Sequence, residues 1–268
     1  MYTPAPRPSQ DNFARVLPVI KVPLIIGHRG AMGHAPENTR ASFERGWKAG
    51  ADAVECDLHL TRDGVLAVMH DESLDRTSAG TGLIKDHAWD HIRRLDAGSW
   101  YHPRFKKERI WRLENLLAWA RFKKARSGRP LGLVLEVKNE KVKYPGIARK
   151  VAAAVARSGM ASRMWVISFD HAVCGRVKRL CPGVRTGLLI HKPLPALAAR
   201  VKSTKADGLF PRWDLATPSL VRRAHALGLF VAVYTVNEAK PLAQVLRAGV
   251  DAVTSNVPDR LRALLPSA

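Results

Sequence analysis

The sequence predicts an α/β protein whose parallel strands close into a TIM (β/α)8-type barrel. Three observations predict it. Strand-like and helix-like runs alternate from about residue 24 to the end of the chain. Eight or so such alternations in roughly 250 residues suit a closed barrel better than an open sheet. The helix-like runs stop just before Gly50, Gly159, Gly228 and Gly249, where a left-handed cap favours glycine.

In chain order, residues 1–22 are proline-rich and read as an irregular lead-in, and residues 23–268 read as one barrel domain. Apolar, β-branched runs predict strands over 24–28, 53–60, 65–70, 132–138, 164–169, 185–190, 207–210, 229–235 and 251–255. Between them, helical spacing predicts helices over 38–49, 113–125, 145–158, 171–180, 195–203, 217–227 and 238–248. Thr217 before Pro218 has the signature of an N-cap with proline at the first helical position. One connection breaks the pattern. Only TRDG separates AVECDLHL from VLAVMHD, which is too short for a crossover helix, and Asp63-Gly64 predicts a two-residue hairpin turn. That turn would pair Arg62 with Val65 and set Asp57 directly opposite His70, on the face that also carries Glu55. The stretch 72–112 is too long for an ordinary loop and predicts a small lid or cap inserted after the hairpin.

Composition narrows the function classes. The chain has 44 Lys and Arg against 23 Asp and Glu, a formal net charge of +21. Such a balance fits an anionic partner or simply a solvated basic surface. The bases are scattered and no nucleic-acid-binding motif is present. We therefore expect no specific nucleic-acid partner, and at most weak association with anionic surfaces. Cys56, Cys174 and Cys181 form no CxxC pair, which suits a reducing compartment. The start of the chain lacks a signal-peptide pattern and no run reaches the length of a membrane span, so a cytoplasmic protein is expected. Phosphate-loop, dinucleotide and GxSxG motifs are absent.

The chemistry-bearing residues sit at strand C-terminal ends, where barrels build active sites. They are His28 and Arg29 after LIIG, Glu55 and Asp57 in AVECDLHL, His70 after VLAVM, and Glu136 and Lys138 in GLVLEVK. Carboxylates facing a barrel interior repel one another unless a cation lies between them, and hard oxygen ligands select Mg²⁺ or Ca²⁺ over zinc. Histidines supply proton transfer, and Arg29 and Lys138 supply positive charge for an anion. Glu37 reads either as a neighbour of the cation or as an acid favoured by the dipole of the following helix, with Asn38 or Thr39 capping that helix. His59 shares the Asp57 face by alternation and is a weaker candidate.

The segments GHRG, PENT, ECDLHLTRDG and HDESLDRT, followed by LEVK, SFD at 168–170, YTVN at 234–237 and TSNVPD at 254–259, resemble the glycerophosphodiester phosphodiesterases over about residues 24–262. The resemblance implies a barrel of the phospholipase-C-like phosphodiesterase type. It implies His28 and His70 as the acid/base pair, and Glu55, Asp57 and Glu136 as ligands of a divalent metal ion, with Glu37 beside or among them. It further implies Arg29 and Lys138 on the phosphate. Tyr234 stands where many relatives have tryptophan and would line the glycerol end of the site. The expected reaction is hydrolysis of a small glycerophosphodiester to sn-glycerol 3-phosphate and an alcohol. The alternatives are a lysophospholipid- or phosphoinositide-cleaving enzyme on the same barrel and, more remotely, a non-catalytic protein that binds anions or nucleic acid.

Overall fold

The computed structural model describes residues 22–265. The lead-in expected over residues 1–22 lies, apart from Val22, outside the described residues. In chain order, the first half contains β1 (Leu24–Gly27), α1 (Arg40–Lys48), β2 (Ala53–Leu60), β3 (Leu66–Val68), α2 (Trp89–Ile92), β4 (Trp111–Arg112), α3 (Leu113–Ala120), β5 (Gly132–Val137) and α4 (Ile147–Ser158). The second half contains β6 (Met164–Ser168), α5 (His171–Leu180), β7 (Arg185–Ile190), α6 (Leu197–Thr204), β8 (Gly208–Pro211), α7 (Pro218–Ala226), β9 (Phe230–Val233), α8 (Ala239–Ala248), β10 (Ala252–Ser255) and α9 (Pro258–Leu264).

Eight strands pair in parallel in the order β1-β10-β9-β8-β7-β6-β5-β2, and β2 returns to β1 to close the barrel. The antiparallel β3 and β4 extend from β2 outside that ring. The alternation of the strands sorts their side chains into two layers. Outward-facing residues such as Val54, Cys56, Leu133 and Val166 pack beneath the helices in one cluster, and Leu188, Leu209, Val231 and Val253 do so in another. Inward-facing Ile26, Val134, Trp165, Ile167, Leu189, Phe210, Ala232 and Ala252 fill the barrel and give it a floor. The barrel is therefore a packed core, open only at its mouth.

Local signals act as the sequence implies at most positions. Thr217 caps α7 by accepting from the Leu220 amide, with Pro218 at the first helical position. Gly159 and Gly249 close α4 and α8 at φ 68° and 80°. Helix α3 ends at Ala120, short of the expected 125, because the chain folds back so that Leu131 donates to the Lys123 carbonyl. The short strand β4 and the closing helix α9 have no counterpart among the predicted elements.

The β2–β3 hairpin corrects a prediction. Its loop has three residues, Arg62, Asp63 and Gly64, and its register pairs Leu60 with Leu66 and Leu58 with Val68. Thr61 is the cause: its hydroxyl donates to Asp63 and accepts from the Val65 amide, while its own amide donates to the Val65 carbonyl. Gly64 then takes the left-handed position at φ 76°. The register therefore slips by one residue, and Asp57 faces Met69 rather than His70, with the Met69 amide donating to the Asp57 carbonyl.

The segment between β3 and β4 has its own small core of Met69, Leu74, Ile84, Ile92, Ala97 and Ile110. Among the described residues, no helix is long and apolar enough to cross a membrane.

Candidate active site

Strands β1, β2 and β5 are neighbours, and their register brings the acids together. Asp57 lies beside Glu136 across the β2–β5 pair, and β1 runs next to β2 with Gly27 beside Val54. Oxygens of Glu55, Asp57 and Glu136 all lie within 4.8 Å of one another, and all three residues are buried. Glu55 Oε1 has no hydrogen-bond partner among the described residues. Burial, reinforced by Asp57 and Glu136, pushes the Glu55 carboxyl well above its ordinary range. Burial likewise raises Glu136 to about 7, with Lys138 opposing and Asp57 adding to the rise. Asp57 behaves differently. Burial disfavours its charge, but Lys138 and Arg29 outweigh that and hold it ionised. Two carboxyls that resist ionising, one of them with an orphan oxygen, beside a third that is held ionised suit a hard divalent cation with oxygen ligands.

The cationic groups interlock with these acids. The Lys138 ammonium lies 3.1 Å from Asp57 Oδ1 and also donates to Glu136. The Arg29 amide donates to Glu55 Oε2 at 2.8 Å, its Nη1 donates to Glu37 Oε1 at 2.7 Å, and its Nε lies 3.4 Å from Asp57 Oδ2. Arg29 sits at φ 48° and Asn38 at φ 60°, a left-handed conformation that non-glycine residues take at a cost. Gly30 makes the first of these turns possible: at φ 89°, any Cβ there would lie 2.3 Å from the Ser42 carbonyl carbon of α1.

The histidines flank the group. His28 Nδ1 bonds Asn256 Oδ1 at 2.6 Å, which makes Nδ1 the donor and leaves Nε2 toward Glu55, 3.9 Å away. Burial, then Arg29, lowers His28 to about 4. His70 Nδ1 bonds Asp71 Oδ1 at 2.6 Å. Burial also lowers His70, while Asp57 pulls the other way. His70 thus comes near Asp57 although the register does not pair them, because the chain leaves the strand after Val68. The His59 ring fixes that exit: its Nε2 donates to the His70 carbonyl at 2.9 Å, and its Nδ1 accepts from the Tyr144 hydroxyl at 2.8 Å.

Glu37 stands apart from the three-carboxylate group. Its oxygens are taken by the guanidinium groups of Arg29 and Arg76. Thr39 caps α1, and Asn38 instead donates to Asp57 Oδ2 at 2.8 Å while accepting from the Asp57 amide. Asn38, Asn256, Asp71 and Arg76 are site residues that sequence reasoning did not assign. Each lies inside a motif carrying the family resemblance, which was the available signal.

Across the mouth the lining changes. Phe169 after β6 lies 5.3 Å from the His191 ring and 6.1 Å from the Tyr234 ring, edge-on to the latter. The Tyr234 hydroxyl donates to the Ile190 carbonyl at 3.0 Å. A cavity of about 300 Å³ opens between the two sides, bordered by His70, Lys138, Glu140, Val142, Phe169 and His191.

Comparison with known proteins agrees with this architecture. The chain matches the Glycerophosphoryl diester phosphodiesterase family over residues 28–260. It is 33% identical over 238 residues to the glycerophosphodiester phosphodiesterase of Caldanaerobacter subterraneus subsp. tengcongensis, covering 89% of this chain and 96% of that protein. It is 34% identical over 242 residues to that of Bacillus altitudinis, covering 88% and 95%. Among solved structures, an Oleispira antarctica phosphodiesterase in complex with the product sn-glycerol-3-phosphate superposes with a TM-score of 0.79 at 28% identity, covering 92% of this chain and 98% of that one. With a barrel of this topology, and relatives of this similarity along nearly its whole length, the chain belongs to the glycerophosphoryl diester phosphodiesterase family and is a phosphoric diester hydrolase.

Proposed function

We propose that this enzyme hydrolyses small glycerophosphodiesters to sn-glycerol 3-phosphate and an alcohol, with a divalent cation and the pair His28 and His70. The observation that carries the reading is the convergence of three buried, mutually close carboxylates with two histidines, Arg29 and Lys138 at one barrel mouth. The product held by the Oleispira antarctica enzyme supports the choice of product.

Glu55, Asp57 and Glu136 would hold the cation, Mg²⁺ or Ca²⁺, which when bound neutralises phosphate charge and polarises the ester. The remaining work falls to the chain's own groups. Lys138 commits donors to Asp57 and Glu136 yet still borders the cavity, so it can meet an anionic oxygen there. Arg29 adds a second positive charge, fixed in orientation by Glu37. With both oxygens engaged by arginines, Glu37 serves as a brace for Arg29 and not as a metal ligand.

The histidine partners divide the proton work. His28 is backed by a neutral amide oxygen, which supports an imidazolium less than a carboxylate does and leaves Nε2 free to accept. We assign it as the base that deprotonates the attacking hydroxyl. His70 is backed by the Asp71 carboxylate, which stabilises the protonated ring. We assign it as the acid that protonates the leaving alkoxide.

A panel of glycerophosphodiesters assayed for released glycerol 3-phosphate, with and without chelator, tests the reading. Cleavage of glycerophosphocholine-type substrates that stops in chelator is expected. Turnover confined to long-chain lysophospholipids or phosphoinositides would replace it with a lipid-cleaving function.

A further inference from the structure

The segment between β3 and β4 delivers one side chain to the barrel mouth that the reaction scheme above leaves unused. The Arg76 guanidinium meets two carboxylates at once. Its Nε and Nη2 donate to Asp71 Oδ2 and Oδ1 at 2.6 and 3.1 Å. Its Nη1 and Nη2 donate to Glu37 Oε2 and Oε1 at 2.9 and 2.8 Å. Both are two-pronged pairings, which fix direction as well as charge. Each carboxylate passes that constraint inward: Asp71 to His70 Nδ1 at 2.6 Å, and Glu37 to Arg29 Nη1 at 2.7 Å.

One guanidinium therefore joins a histidine on one flank of the carboxylate group to an arginine on the other. The inner anchor is rigid, since Glu37 is only 5% exposed and the neighbouring Thr77 is also buried. The outer one is accessible, since the Arg76 side chain is 44% exposed. A lysine could neutralise the same charge, but its single ammonium cannot span four carboxylate oxygens in two planes.

We propose that Arg76 is a positioning residue. It fixes the ring orientation and tautomer of His70 through Asp71 and the direction of the Arg29 guanidinium through Glu37, keeping the two flanks of the site in mutual register. The inserted segment then acts as a brace for the chemistry and not only as a cover. The inference rests on the phosphodiesterase reading for the roles of His70 and Arg29, whereas the claim about His70's tautomer can be tested without it.

The test compares wild type, Arg76→Lys and Arg76→Ala in the metal-loaded enzyme. Steady-state kinetics use glycerophosphocholine, and ¹⁵N NMR of the histidine rings reads the His70 tautomer. In Arg76→Lys, kcat is expected to fall about 10- to 100-fold, the scale for losing a residue that orients an active-site ligand, with KM nearly unchanged. The His70 ring should pass from a single Nδ1–H tautomer to a mixture. In Arg76→Ala, millimolar guanidinium should restore part of the lost kcat, because the vacated place opens to solvent. A kcat within about twofold of wild type in both variants, well under the 1.4 kcal/mol of a tenfold change, overturns the proposal. So does a lost kcat with an unchanged His70 ring spectrum, which would mark Arg76 as a structural staple. If Arg76→Ala does not fold, Arg76→Lys decides alone. If the wild type cleaves no phosphodiester, the functional reading fails, and the tautomer measurement still judges Arg76.

Discussion

On the side of the mouth formed by β1, β2 and β5, Glu55, Asp57 and Glu136 crowd together under Arg29 and Lys138. On the side formed by β6, β7 and β9, the residues just past the strand ends are Phe169, His191 and Tyr234. Both sides stand on one apolar floor built around Trp165 and Phe210. The strands are equivalent in the barrel, so the difference lies wholly in what each presents at its C-terminal end. It teaches that the acids and bases gather on three adjacent barrel strands and the hairpin that extends from β2, while the remaining wall shapes the space beside them. The expected effects of perturbing the two sides should differ accordingly.

The largest effect should come from emptying the charged side of its cation. Excess chelator should reduce turnover to background, and Mg²⁺ or Ca²⁺ should restore it. Full activity in chelator would remove the cation from the reading. Next come the histidines. His28→Ala and His70→Ala should each lower kcat by at least ~10²-fold, the usual scale for lost acid/base catalysis. They should also separate by leaving group. With a p-nitrophenyl ester, which leaves without a proton, the His70→Ala defect should shrink while that of His28→Ala persists. The opposite pattern would exchange their roles.

The aromatic side should be more forgiving. Tyr234→Phe loses one internal hydrogen bond to the Ile190 carbonyl, worth about 1 kcal/mol of folding stability, so a lowered melting temperature with kcat and KM close to wild type is expected. A defect as deep as that of the histidine variants would erase the contrast between the two sides. The smallest effect is a proton count. Glu136 is raised from its ordinary 4.5 to about 7 by burial, so the metal-free fold favours its protonated form. The resulting stabilisation is complete below the unfolded value and is lost as pH rises through about 7. Metal-free protein should therefore melt at progressively lower temperature as pH rises from about 5 to about 8, and added cation should flatten that slope. Cation binding near neutral pH should also release protons, seen as a dependence of the binding heat on the buffer's ionisation enthalpy. No proton release would mean that the carboxyls are already ionised.

Much of the charged side was legible because it obeys short-range rules. The inward direction of Glu55, Asp57 and Glu136 follows from strand alternation alone, and the barrel follows from the count of alternating elements. The hairpin register was not legible, because one side-chain bond from Thr61 to Asp63 selects a three-residue loop over a two-residue one. His70 nevertheless approaches Asp57, since the chain leaves β3 early and His59 holds the His70 carbonyl. Asn38 could not be told from a helix cap without knowing that Thr39 takes that place. Asn256 supports His28 from 228 positions away, a pairing no local pattern encodes. Arg76 needed the folded insertion to show that Asp71 and Glu37 lie within reach of a single guanidinium.

The close seating of Gly30 on α1 bears on how this enzyme can be altered. Gly46, in the last turn of that helix, faces the same contact: a methyl there would lie 2.7 Å from the Gly30 carbonyl oxygen. A position that touches no substrate is thus tied sterically to the turn that aims Arg29. Libraries that seek new specificity can vary the far wall freely, but they should leave residue 46 alone, since even alanine there would be felt as a shift at the centre of the reaction.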